Sequence, residues 1–218
     1  MKYFEKISEK KQESYTKRNV AVGAAGVMGA GLPNQLTGPA LLKSMKEIKD
    51  PKLYSAAMTK AKQQKIPVTE ISSFAMKGAY NPTLKQIYIE KGQGADVLFH
   101  ELGHAANYKK FKALPKLRVA GMLIGGMAPL SAAVSKKDST VSKAAPYVAA
   151  AGMAPMLGDE VAASAKSIKN LKKAKATTSQ LNIARKNLGK AFTTYGLLAA
   201  GAIAAPALIR KFKESNKK

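Results

Sequence analysis

Four short apolar stretches, set apart by lysine-rich segments, constrain this chain more than any other feature. They run over 20–42, 119–134, 144–157 and 195–209, and they are built mostly from Ala, Gly, Val, Leu, Ile and Met. An unaided bilayer crossing takes about 20 apolar residues, so each stretch is either a short or tilted membrane helix or a helix buried in a soluble fold. The first is interrupted by Pro33, Asn34, Gln35 and Pro39, which suits a broken membrane helix, a re-entrant hairpin or a buried soluble hairpin. Aromatic residues make up only 6% and Trp is absent. A soluble core so rich in Ala would be thinly packed, and this favours membrane insertion of the central pair. Gly121 and Gly125 stand at GxxxG spacing, and Ala200 and Ala204 at the related small-xxx-small spacing. Both let helix backbones approach closely in lipid.

The polar segments carry the charge. The net charge is +24, and of 37 basic residues only Arg18, Arg118, Arg185 and Arg210 are not lysine. Such an excess predicts attraction to a polyanion: nucleic-acid phosphate, anionic lipid headgroups or an acidic partner. Lys is a point charge without the fork of Arg, so the contact expected is non-specific. The same excess also fits a lysine surface that only keeps the chain soluble. With every polar segment basic, the positive-inside rule has little contrast from which to read orientation. The leading segment is long and carries Glu5, Glu9 and Glu13, which speaks against a signal peptide. Cysteine is absent, so any transition-metal site must use His and carboxylate ligands.

Between the apolar stretches, 43–66 reads as a basic amphipathic helix or helix pair broken at Asp50-Pro51. The segment 67–91 alternates β-branched and aromatic residues around Asn81-Pro82-Thr83, which predicts a β-hairpin with Gln86–Glu90 as its second strand. Gly92 and Gly94 end that strand, and a helix follows over about 95–111. Residues 159–191 read as a long basic helical segment.

The helix at 95–111 holds "VLFHELGHAANY" and the only two histidines of the chain. Residues four apart share a helical face, so His100 and His104 can turn ring nitrogens toward one ion. Glu101, one residue past the first histidine, is placed to act as a general base. Gly103 keeps the turn free of bulk, and Val97, Leu98, Leu102 and Ala105 anchor the other faces. Zn²⁺ is the ion this pattern predicts. A third protein ligand must be a carboxylate, since no histidine remains.

The run AYNPTLKQIYIEKGQGADVLFHELGHAAN (79–107) resembles the core of gluzincin zinc metallopeptidases. The resemblance implies an α+β fold with a minimal zincin-like core and additional Ala/Gly-rich helices. It implies a strand around Ile87–Ile89 that forms the sheet edge beside the active-site helix and holds extended substrate by strand addition. It also implies a third ligand on a later helix, where GDEVAASAKS (158–167) offers Glu160, with Asp159 as the alternative. Ser164 stands where the family often has Asp. Both acids also suit the start of a helix, where carboxylates favour the dipole. HExxH, then two apolar stretches, then the Glu segment is the order of the membrane-integrated branch, the HtpX and CAAX-prenyl-protease type. The resemblance covers roughly 74–167. For the oxyanion, Tyr195, Tyr147 and Arg185 are candidates by residue type alone.

The chain thus divides into a basic segment with an apolar hairpin or helix (1–42), the zincin-like core (43–116), an apolar helical hairpin (117–158), the third-ligand helix with its basic continuation (159–191) and an apolar helix with a basic tail (192–218). The function expected is a zinc-dependent, membrane-associated endopeptidase acting on a protein or peptide. Two other readings fit the same residues. One is a basic structural or membrane-penetrating component of a larger assembly, such as a phage virion protein beside DNA, with the metal site auxiliary or inactive. The other is a soluble zincin with an Ala-rich helical subdomain.

Overall fold

The computed structural model describes residues 40–72, 77–136 and 139–215. The basic N-terminal segment and nearly all of the first apolar stretch lie outside them. The described fold is α+β and mostly helical: α1 (Pro51–Gln63), β1 (Val68–Ile71), β2 (Gly78–Asn81), β3 (Gln86–Glu90), α2 (Ala95–Lys110), α3 (Leu114–Val134), α4 (Thr140–Lys173) and α5 (Thr178–Ser215). The chain forms two compact units. The first comprises Leu36–Val119 and Pro155–Tyr195. The described part of the second lies within Ala120–Ala154 and Gly196–Lys218.

In the first unit, Asp50 caps α1 by accepting from the Lys52 and Leu53 amides, and Pro51 opens the helix. This is where Pro is tolerated, because its missing N–H would be unpaired anyway. After a helical turn at 40–43, the chain is not helical over 44–49, and helix resumes only after Asp50. The predicted hairpin is present: β2 and β3 are antiparallel with Tyr80 opposite Ile87, and the Asn81 carboxamide accepts from the Thr83 and Leu84 amides in the turn. A further strand, β1, pairs in parallel with β3, so the sheet order is β1-β3-β2. This corrects the expectation for Ile87–Ile89. The strand is central and both its neighbours are paired, so it has no free edge for an added strand. Ile87 and Ile89 point instead into the core with Leu53, Leu98, Phe99 and Leu102.

Among the described residues the sheet has two edge strands, β1 and β2, and β2 is the one beside α2. The Glu90 amide donates to the Lys77 carbonyl, so Lys77 and Glu90 form a hydrogen-bonded pair. Such pairs alternate along an antiparallel ladder, which turns the backbone groups of Gly78 and Tyr80 away from β3. β2 lies against α2 so tightly that a Cβ on Gly78 would stand 2.8 Å from Val97 Cγ1 and 3.1 Å from Glu101 Cγ.

In the second unit, α3 and α4 form the expected helical hairpin. A Cβ on Gly152 would meet the Gly121 carbonyl at 2.5 Å and the Gly125 amide nitrogen at 2.7 Å, and one on Gly125 would meet the Ala149 carbonyl at 3.2 Å. The GxxxG spacing is therefore used for backbone-to-backbone contact. Lys213 closes the end of α3, its ammonium donating to the Ala132 and Ser135 carbonyls at 2.8 and 2.7 Å, where a cation suits the helix C-terminus.

Among the described residues two helices are long and apolar enough to cross a membrane, Leu114–Val134 and Thr178–Lys213, with 33% and 28% of their apolar windows buried. Met122, Leu123, Ile124 and Met127 on α3 are exposed. The second arm of the hairpin is not one of the two. It is part of α4, which continues unbroken through the acidic pair Asp159-Glu160 to Lys173. The basic segment expected over 159–191 is likewise two helices, because α4 ends at Lys173 and α5 begins at Thr178.

Candidate metal centre

The site lies within the first unit and is built by two helices. α2 supplies His100, Glu101 and His104, and α4 supplies Asp159, Glu160 and Ser164. Their close approach depends on Gly103, where a Cβ would stand 2.6 Å from the Ala163 carbonyl oxygen and 2.8 Å from its Cα. Only a residue without a side chain lets the two backbones cross there.

His100, His104 and Glu160 form a cluster that can hold a metal ion. Their facing atoms are close to equidistant: Nε2 to Nε2 is 3.1 Å, and Glu160 Oε2 lies 3.3 Å from His100 Nε2 and 3.6 Å from His104 Nε2. Tetrahedral ligands at 2.0–2.1 Å from zinc stand about 3.3–3.4 Å apart, so the spacing fits that ion, as does the donor set of two imidazoles and a carboxylate.

The groups behind these three side chains fix their orientation. Asp159, 2% exposed, places Oδ2 2.8 Å from His104 Nδ1. With Nδ1 donating to Asp159, Nε2 is the nitrogen at which a cation would take the place of a proton. Asp159 thus stands behind His104 on its Nδ1 side, outside the cluster of His100, His104 and Glu160. Ser164 Oγ is 3.4 Å from His100 Nδ1, a longer contact to the other histidine. Asn107 Nδ2 donates to Asp159 Oδ1 at 2.6 Å. Arg118 joins the two acids, donating to Asp159 Oδ2, and to Glu160 Oε1 at 3.0 Å. It also donates to the Tyr108 hydroxyl at 2.8 Å.

Charges in the cluster follow from these contacts. Burial alone would disfavour the His104 cation, but hydrogen bonds to Asp159 and Glu160 outweigh it and push the ring up to about 10. Burial likewise opposes ionisation of Glu160 and Asp159. Both carboxyls are nevertheless held below their ordinary range, Glu160 by hydrogen bonds from the two histidines and Asp159 chiefly by the one from His104. Glu101 differs. It is buried, and burial raises its carboxyl above the ordinary range despite the nearby histidines and the Tyr80 backbone amide, which favour the anion. A buried carboxylate of raised pKa beside a cation site is suited to accept and return a proton.

The structure thus brings together His100, Glu101, His104 and Glu160. Of the three oxyanion candidates, Tyr195 is coupled electrostatically to Glu160 and Glu101. Tyr147 is 78% exposed in the second unit, and Arg185 is occupied with Asn182. Sequence reasoning missed Arg118, Tyr108 and Tyr80. Tyr108 carried a signal, since it continues the 100–104 face by one more turn and its ring centroid lies 6.1 Å from that of His104. No family model, curated protein or solved structure matches the chain.

Proposed function

We propose that the protein is a zinc-dependent peptidase of the gluzincin kind, associated with a membrane. The observation that carries this reading is the convergence of His100, His104 and Glu160 at zinc-ligand spacing with the buried Glu101 beside them. Zinc held by these three groups supplies Lewis acidity, acidifying a water and polarising a carbonyl. Glu101 takes the proton of the attacking water and returns it to the leaving amine. Asp159 and Ser164 keep the ring nitrogens of the histidines aimed, and Arg118 holds both acids of α4 in place. Tyr195 is the group offered for the developing oxyanion. The two long apolar helices, with most of their apolar windows unburied, support membrane association.

The test is metal content together with turnover. Purified wild type should carry about one zinc per chain, and His104→Ala and Glu160→Ala should lose it. Glu101→Gln should keep the zinc and lose peptide hydrolysis. Zinc lost from His104→Ala but retained in Glu160→Ala would remove Glu160 from the ligand set. Metal-replete wild type without zinc would end the peptidase reading and leave the basic structural component, for which the +24 charge is the supporting observation.

A further inference from the structure

A cavity of about 800 Å³ opens in the first unit, on the side of α2 that carries Ala105, Ala106 and Tyr108. Five lysines line it, Lys65, Lys85, Lys109, Lys110 and Lys112, and no acidic residue does. They come from three places: the end of α1, the β2–β3 turn and the end of α2. The cavity also includes Tyr80 and Tyr108, whose ring centroids are 5.8 Å apart. These tyrosines link it to the metal centre, because the Tyr108 ring packs near His104 and the Tyr80 amide faces Glu101.

Two of the five lysines occupy costly backbone positions. Lys65 has φ 56° and Lys85 φ 51°, the left-handed region where glycine is the unstrained choice and a long side chain is uncommon. One other described non-glycine residue, Lys175, shares that conformation; it follows α4 and does not line the cavity. At 65 and 85 a lysine at the rim of the cavity therefore sits on left-handed backbone.

We propose that this cavity is a subsite for acidic side chains of the substrate, so that the enzyme prefers peptides bearing Asp or Glu next to the bond it cuts. The inference rests on the peptidase reading. A peptide is favoured over a nucleic acid by the surroundings. The subsite adjoins the outer edge of β2, where the Gly78 backbone groups and the Tyr80 carbonyl face away from β3 and can pair with an extended polypeptide; they have no counterpart in a sugar-phosphate chain. Its volume is that of a small-ligand pocket, which suits a few carboxylates better than a duplex.

The test uses full-length Glu101→Gln protein and a fluorescein-labelled hexaglutamate peptide, with binding read by anisotropy. Hexaglutamine and a single-stranded hexathymidylate serve as comparison probes. The paired variants Lys65→Gly and Lys85→Gly remove charge while relieving the backbone, so loss of binding cannot be loss of fold. Combined, they should weaken hexaglutamate binding about tenfold, the size expected for two partly exposed ion pairs. Removing two exposed charges elsewhere in the same unit, Lys172→Gln with Lys186→Gln, should not. Equal weakening by the two pairs would overturn the subsite in favour of a diffuse field. So would hexathymidylate binding as tightly as hexaglutamate with the same loss at 65 and 85, since the site would then take any polyanion. Wild type that cleaves no peptide yet shows the predicted binding pattern would sink the peptidase reading and leave an acidic-peptide site. Wild type that cleaves neutral and acidic peptides at equal rates would do the reverse.

Discussion

Gly103→Ala separates two effects of opposite sign. In the interior of an exposed helix, Gly to Ala stabilises by about 1 kcal/mol. At position 103 the new methyl would stand 2.6 Å from the Ala163 carbonyl oxygen, where ordinary contact begins at 3.4 Å. The opposing atoms are backbone and cannot rotate away, so α4 has to retreat by about 0.8 Å at Ala163, the difference of those two distances. Overpacking of this kind costs about 1–3 kcal/mol, which exceeds the propensity gain, so the variant should be less stable. Glu160 lies three residues away on the same helix and moves with it. Metal–ligand distances tolerate about ±0.2 Å, so zinc affinity should fall about 10–100-fold, as when a supporting group of a metal site is lost. Thermal unfolding of the metal-free protein and competition against a chromogenic zinc chelator measure the two effects. Gly189→Ala is the control. It lies in α5, where an added Cβ would have nothing within 4 Å, and it should gain stability with zinc affinity unchanged. A Gly103→Ala protein that gains stability like the control, or binds zinc like wild type, would refute the helix-crossing account of the site.

Two further outcomes follow from the buried acids. Asp159→Asn keeps the shape of the side chain but removes the charge that orients His104, so zinc affinity should drop about 10–100-fold in the same chelator assay; unchanged affinity would deny Asp159 that part. Asp96, 1% exposed at the start of α2, accepts from Asn187 Nδ2 at 2.8 Å, but burial raises its carboxyl above the ordinary range. A raised folded-state pKa gives stability that is full below the unfolded value of about 3.9 and is lost as pH rises through the folded value. Asp96→Asn should therefore raise the melting temperature at pH 7, and the gain should vanish near pH 4. A gain that persists in acid would show that charge burial is not its source.

The parts legible from sequence are those fixed by local pattern. The Asn81-Pro82-Thr83 turn, the strand Gln86–Glu90 and the histidine helix are decided by residues within a turn or two of one another, and each is found where the pattern put it. What escaped is what other parts of the chain decide. β1 became visible as a strand only when paired with β3, and that pairing turned an expected edge strand into a central one. Arg118 sits among apolar residues at the start of α3, and nothing near it in sequence says that its guanidinium will bridge Asp159 and Glu160. The split of 159–191 at Lys173 was hidden for another reason. The break is made by Lys175 at φ 63°, a residue that gives no glycine-like stop signal.

The order of the candidate ligands along the chain places a demand on topology. His104 and Asp159 touch across 55 positions, with the whole α3–α4 hairpin between them. A single apolar pass between the two would have left Glu160 at the far end of a helix, beyond reach of the histidines. Two antiparallel passes return the chain, and the contact of Gly121 and Gly125 with Gly152 and Ala149 holds the passes together at backbone distance. Loop-closure entropy rises only slowly with length, so an inserted hairpin of this size costs little more than a short loop would, provided that it closes on itself. The same chemical device is used twice, therefore. Glycines seal the hairpin that brings α4 back, and Gly103 then lets α4 approach α2 closely enough for Glu160 to complete the cluster. A bulky residue at 103 would leave the histidine motif intact in sequence and keep Glu160 from the histidines in space.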